Sequence, residues 1–259
     1  MAGHESSTIN VVIPKDVHTG GNHCREKRAG GAALTQRVPH SVLDNESEYR
    51  MPSNGEPKLV VTALGDSITA GAPLWDPDPS VRERAQSTDE RSQWMYWAQA
   101  KYPHLVFRNH GVNTQETSEI AERLDHAVRG ADALVIQGGV NDLVHGKSAD
   151  RALGNLDAMV LQGQALDLRV AIAEVIPNDN YDDILPGIAQ INRELRAIAA
   201  DRAVPLLPFH AALDDPDRPG RIRPGCTDDG NHPNIDGHRR IGELGFQLPD
   251  SWKESLLPD

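Results

Sequence analysis

The chain has 259 residues, with 26 Lys and Arg against 38 Asp and Glu, a formal charge of −12 at neutral pH. Residues 1–57 hold 6 basic and 7 acidic side chains, so the acidity belongs almost wholly to the remainder, and such a balance argues against a nucleic-acid partner, which needs a basic footprint. No apolar run approaches the ~18 residues of a membrane span, two cysteines (Cys24 and Cys226) make no disulfide framework, and the polar start of the chain lacks the basic-then-apolar order of a secretory signal, so a cytoplasmic protein is expected.

Residues 1–57 are rich in Gly, Pro, Ser, Asn and charged side chains and keep no helical or strand period. They read as an N-terminal extension, flexible by composition. Ile9–Ile13 within it has strand character. His18, His23 and Cys24 lie close together but lack the fourth ligand and paired spacing of a zinc site. Residues 58–259 read as the folded domain. Lys58–Leu64 is a short apolar, β-branched run and predicts a buried strand; it leads into Gly65-Asp66-Ser67-Ile68-Thr69. Pro73–Glu90 is acidic and proline-rich and reads as a surface loop. Trp94, Met95, Trp97 and Ala98 share a helical face. Leu105–Phe107 predicts a second strand, running into Asn109-His110-Gly111. Asn113 with Glu116 predicts a capping box, ahead of a helix with Ile120, Leu124 and Val128 on its inner stripe and Gly130 at its end.

Ala133–Ile136 predicts the third strand, ending in Gly138-Gly139-Val140-Asn141-Asp142. A helix from near Ser148 places Leu153, Leu156, Val160 and Leu161 on one side. Val170–Ile176 predicts the fourth strand, stopped by Pro177. Ile188, Ile191, Leu195 and Ile198 mark an amphipathic helix, and Val204–Leu207 a fifth, shorter strand. A loop is expected through Gly230, then a last helix opening near Asn234 and carrying Ile241 and Leu244. Five strands joined by helical crossovers predict an α/β fold: a three-layer α/β/α sandwich around a five-stranded parallel sheet. Ligands bind such sheets beyond the carboxyl ends of the strands, and Ser67, Gly111, Asn141 and His232 all fall there.

Ser67 sits on a strand-to-helix turn, where its hydroxyl is exposed among free amide groups. A serine needs a base, and the base needs an orienting group. Asp229-Gly230-Asn231-His232-Pro233 supplies both, since an aspartate three residues before a histidine can fold back onto Nδ1–H. Taken singly, either motif is also compatible with a plain polar turn.

Together the motifs are specific. Gly65-Asp66-Ser67, Asn109-His110-Gly111, Gly139-Val140-Asn141-Asp142 and Asp229-Gly230-Asn231-His232-Pro233 occur in the order that names the SGNH, or GDSL, hydrolases, and the chain resembles that family over roughly residues 58–246. The resemblance implies a flavodoxin-like sandwich and a serine hydrolase that cleaves carboxylic esters through an acyl-enzyme. It implies Ser67 as nucleophile, His232 as base and acid, Asp229 as its partner, and an oxyanion hole made by Ser67 N–H, Gly111 N–H and the Asn141 amide. No metal or organic cofactor is implied. Asp66 and Asp142 are expected to bond nearby loop amides. Thr114 departs from the pattern, because members often carry a second glycine there. The low aromatic content, 4%, favours short-chain or soluble esters such as acetyl, aryl or carbohydrate esters. A thioesterase or lysophospholipase is the alternative within hydrolases, and a non-catalytic ligand-binding domain the alternative outside them. The small-molecule substrate and the oligomeric state are not encoded in any motif.

Overall fold

The computed structural model describes residues 59–253. The N-terminal extension, the strand considered at Ile9–Ile13, the His18/His23/Cys24 group and the domain's outer ends lie outside the described residues; Cys226 lies within them as a buried free thiol.

Five parallel strands form the centre. β1 is Leu59–Gly65, β2 Leu105–Gly111, β3 Ala133–Ile136, β4 Arg169–Ala173 and β5 Leu206–Leu207, in the spatial order β2-β1-β3-β4-β5. Gly65 is paired with Gly111 and Leu64 with Ile136, so the ends of β1, β2 and β3 lie side by side. This is the expected parallel sheet. β2 runs four residues further than its apolar core suggests, because Arg108–Gly111 keeps pairing with β1.

Side chains alternate between two cores, as a pleated strand requires. Leu59, Val61 and Ala63 of β1 join Trp94, Phe107, Phe209, Phe246 and Trp252 in one. Leu64 joins Leu134, Ile136 and Ile172 in the other, under Ile120, Leu124, Leu156, Ile188 and Ile191. The first core is covered by α3 (Trp94–Lys101), α9 (Phe209–Leu213) and α10 (Ile235–Arg240), which continues as a π-helical turn, Ile241–Gly245. Trp94 is its hub, with ring centroids 5.5 Å from Phe107, 5.2 Å from Phe209 and 5.7 Å from Phe246. The second is covered by α4 (Thr117–Glu122), α5 (Leu124–Ala127), α7 (Ala149–Ala165) and α8 (Leu185–Asp201). Thr62 would leave a buried hydroxyl between these faces, and instead donates to Ala127 O at 3.0 Å.

Several local expectations differ. The box at the head of α4 is Glu116 with Glu119, whose Oε2 accepts from Glu116 N–H at 2.9 Å; Asn113 lies outside the helix and donates to Asp76 Oδ2 at 3.0 Å. Pro79–Ala85 is a helix, α2, capped by Asp78, inside the stretch read as loop. The segment before Gly230 holds α9 and a hairpin of β6 (Asp214–Asp215) and β7 (Arg218–Ile222). Leu161 and Leu244 face outward, 44% and 48% exposed, one residue off the inner stripes of their helices.

Candidate active site

The site is built on two short α/β turns and one loop. β1 ends at Gly65, and Asp66 caps the four-residue helix α1, Ser67–Ala70, by accepting from Ile68 N–H at 2.9 Å. The capping leaves Ser67 as the first helical residue, at the carboxyl edge of the sheet. Asp66 is fully buried, and its second oxygen accepts from Gln137 Nε2 at 3.2 Å. Gln137 in turn accepts from Thr69 Oγ1 at 2.8 Å, locking the turn to the end of β3.

The loop before α10 brings the histidine in from 165 residues away. His232 Nε2 lies 3.1 Å from Ser67 Oγ. Its Nδ1 lies 2.8 Å from Asp229 Oδ2. Asp229 Oδ1 accepts from the N–H groups of Asn231, at 2.8 Å, and His232, at 2.7 Å, so one carboxylate shapes the turn with one oxygen and orients the imidazole with the other. Gly230 lies between them with φ +77°, the left-handed conformation that glycine takes without cost. Burial alone would raise the Asp229 pKa, but the hydrogen bonds from His232 and Asn231 outweigh it and hold the carboxyl below its ordinary value. Asp228, the neighbouring candidate, accepts instead from Asn234 Nδ2 at 2.9 Å. The loop is clamped from outside by the segment after β4: Asn180 Nδ2 donates to Asp229 O at 2.7 Å, Asp179 N to Gly230 O at 2.8 Å, and Asn178 Nδ2 to Asn231 Oδ1 at 2.8 Å.

Asn141 is in the first turn of α6 (Val140–Val144), which opens on Gly139 at φ +117°. Its Nδ2 donates to Gln115 O at 3.0 Å, leaving one amide hydrogen for a further acceptor. Asp142 accepts from Thr117 N–H at 2.9 Å and Thr117 Oγ1 at 2.7 Å, the loop-bonding expected of it.

Gly111 differs from expectation. Its N–H donates to Asn109 Oδ1 at 2.9 Å, so that amide already has a partner. A Cβ at this position would collide with the backbone of Thr69 and Ala70. Asn109 completes the arrangement by donating from Nδ2 to Ala70 O at 3.1 Å and Gln93 Oε1 at 2.8 Å. The Asn109-His110-Gly111 block therefore seats α1 against β2, and glycine is needed for that contact. Gly111→Ala is expected to cost about 3 kcal/mol, since overpacking against backbone cannot relax by a rotamer change, and to lower the melting temperature by roughly 6–12 °C. A variant melting like the parent would show that α1 tolerates displacement.

Of the histidines outside the Ser67–His232 contact, His238 is fully buried and His110 and His210 are partly buried. Desolvation pushes His238, in α10, down to about 3, with His232 adding to the effect. Desolvation, then Arg123, His126 and Arg108, pushes His110 to about 4. Unfolded histidines titrate near 6.5, so between pH 6.5 and 4 the unfolded chain binds more protons, and stability is lost as pH falls through that window. Asp66 opposes this, because burial raises it to about 6 and the folded state then holds its proton between roughly pH 4 and 6. His210, lowered chiefly by burial, adds to the loss, and Asp76, raised chiefly by burial, acts with Asp66 against it; three lowered histidines against two raised carboxyls leave a net loss of stability as pH falls. Calorimetry from pH 7 to 4 is expected to show the fall, and His238→Leu to make it shallower. An unchanged slope in that variant would assign the proton uptake elsewhere.

A model of the GDSL-like lipase/acylhydrolase family matches residues 63–240, spanning every motif described above. The chain belongs to this family. No protein among the curated relatives matches it at significance. Solved structures that resemble this GDSL hydrolase include a member of the lipolytic G-D-S-L family from Veillonella parvula, 18% identical, covering 71% of this chain and 93% of its own with a TM-score of 0.58. TesA is 21% identical, with coverage of 71% and 94% and a TM-score of 0.56. A variant of Axe2, an acetyl-xylooligosaccharide esterase from Geobacillus stearmophilus, is 19% identical, with coverage of 74% and 96% and a TM-score of 0.57. At these identities the likeness concerns the fold. Among the described residues of the GDSL hydrolase, no helix is long and apolar enough to cross a membrane.

Gln137 and Arg123 carried no motif of their own, and Asn109 lay in one without an assigned role. Gln137, Asn109 and Arg123 act through hydrogen bonds to distant backbone or side-chain groups. Buried polar residues next to strand ends were the available signal.

Proposed function

We propose that this GDSL hydrolase cleaves carboxylic esters with Ser67 as nucleophile, His232 as general base and acid, and Asp229 as the group that orients and stabilises the imidazole. The observation that carries the reading is the continuous chain of contacts from Ser67 Oγ to His232 Nε2 at 3.1 Å and from Nδ1 to Asp229 Oδ2 at 2.8 Å. With Nδ1–H donating to Asp229, Nε2 has its lone pair toward Ser67, the tautomer a base requires. Ser67 Oγ attacks the ester carbonyl and its proton passes to His232. The tetrahedral intermediate collapses, the C–O bond to the alcohol breaks, and His232 returns the proton to the departing oxygen. Water then repeats the sequence on the acyl-Ser67, restoring the free hydroxyl and releasing the acid. The developing oxyanion takes its donors from Ser67 N–H and the second amide hydrogen of Asn141; Gly111, whose N–H is engaged by Asn109, is not included.

Short-chain or soluble esters are the proposed substrates. Among the described residues, the exposed large apolar side chains are Val144, Leu161, Leu166, Tyr181 and Leu244, of which only Leu161 and Leu166 share a helix, α7 and its C-terminal cap, which supports a surface without a continuous track for a long acyl chain. A cavity of about 330 Å³ beside the end of β2 is lined by Asp76, His110, Asn113 and Arg123 together with Pro77, Val81 and Val112, and its exposed wall is more apolar than polar, which supports a small substrate of mixed polarity. Hydrolysis of p-nitrophenyl esters across acyl lengths, together with acetylated sugars, tests the substrate class. Faster turnover of acetate and butyrate than of palmitate is expected. Failure of a fluorophosphonate to label the protein would overturn the serine mechanism itself.

A further inference from the structure

Arg123 follows the last residue of α4, and its guanidinium reaches back across the ends of two strands. Nη2 donates to Gly65 O at 3.1 Å, Nη1 to His110 O at 3.0 Å, and Nε to Gln115 Oε1 at 2.8 Å. All three acceptors are neutral. Gly65 precedes the Asp66-Ser67 turn, and His110 precedes Gly111, against which α1 is seated. Gln115 offers its backbone carbonyl to Asn141 Nδ2 at 3.0 Å. Arg123 thus bonds directly to the strand end carrying Ser67 and to the residue holding the Asn141 amide.

The segment between these points needs holding. Thr114 stands at φ +67°, a left-handed conformation that costs a non-glycine residue about 1–3 kcal/mol. This is the position where the family often has glycine. A planar fork with five fixed donors suits three separated acceptors in a way a lysine ammonium does not. Burial lowers the Arg123 pKa to about 10, which leaves it charged at neutral pH, so its bonds are of the stronger, charge-assisted kind.

We propose that Arg123 is a positioning residue that sets the Asn141 amide relative to Ser67, through Gln115 and the end of β1. The inference rests on the role given to Asn141 above. With the second hydrogen of Asn141 aimed at the oxyanion only while Gln115 O holds the first, loosening Arg123 misdirects a donor that acts in the transition state. Its loss then appears in kcat and leaves KM nearly unchanged.

The test is a double-mutant cycle on the full chain with one short p-nitrophenyl ester, with circular dichroism and melting for each variant. Arg123→Ala is expected to lower kcat by about 10–100-fold, as misplacement near 1 Å does. Asn141→Ala is expected to lower it by ~10²–10³-fold. The double variant is expected to be within about twofold of Asn141→Ala alone, because the Arg123 effect has nothing left to act through. Millimolar guanidinium is expected to restore part of the Arg123→Ala kcat without raising its melting temperature. Losses that multiply in the double variant, or a kcat close to the parent's in folded Arg123→Ala, would overturn the proposal. If Arg123→Ala does not fold, Arg123→Lys and Gln115→Ala enter the same cycle, with the same absence of further loss expected on the Asn141→Ala background. Failure of the parent protein to hydrolyse esters or react with fluorophosphonate would instead remove the functional reading beneath it. A normal kcat in Asn141→Ala would remove the role of Asn141.

Discussion

Replacing Ser67 by alanine is expected to lower kcat by about 10⁵-fold or more, because removing the nucleophile leaves only binding and oxyanion stabilisation. Fluorophosphonate labelling is expected to disappear with it. The fold should hardly notice. Ser67 is 6% exposed, its hydroxyl contact is to His232, and the cap of α1 belongs to Asp66, so the helix keeps its start and the melting temperature should stay within a few degrees of the parent's. Active-site titration and calorimetry on the same preparation check both halves. Retained turnover in Ser67→Ala would show that a different group attacks the ester, and a collapsed fold would show that the hydroxyl is structural.

Asp229→Asn is expected to lower kcat by about 10⁴-fold, by imposing the wrong tautomer. The substitution spares Oδ1, which accepts from the amides of Asn231 and His232, so the turn keeps its shape. At the Oδ2 position an NH₂ group faces Nδ1. The imidazole then carries its proton on Nε2, pointing at Ser67 Oγ, and has no lone pair with which to take the serine proton. KM should change little, since the substrate does not touch Asp229 in this reading. Asp228→Asn is the control: Asp228 bonds Asn234, not the imidazole, and its activity should remain near the parent's. A reversed pair of results would transfer the orienting role to Asp228.

Much of this was legible in the order of residues, for identifiable reasons. The strands that face two cores are continuous apolar runs, and Ala133–Ile136 agrees to the residue with β3. The pairs Ser67–His232 and His232–Asp229 follow from chemistry that tolerates few residue types, so short motifs carry them. What was not legible depends on contacts without local period. α2 and the β6–β7 hairpin are short and polar, and their cores are caps and ion pairs such as Arg218–Asp215 at 2.8 Å. The Gly111 amide is diverted by the side chain of Asn109 two residues earlier, which the presence of a glycine at a strand end does not disclose. Arg123 belongs to no motif, and its role is visible only once Gly65 O, 58 positions away, is placed beside it.

The placement of His232 after all five strands has a consequence for the order in which the molecule becomes competent. During synthesis the sheet strands emerge first, with Ser67 at the end of the earliest. The imidazole arrives late, followed by Phe246 and Trp252, which finish the core under Leu59, Val61 and Ala63. A contact separated by so many residues is entropically among the slowest to close. With His232 as the proposed base, the hydroxyl is expected to stay chemically quiet on the nascent chain and on any fragment cut short before the last helices. The first turnover after release or refolding reports that the two ends of the domain have met, which makes esterase activity a later and stricter signal of maturation than sheet content measured by circular dichroism.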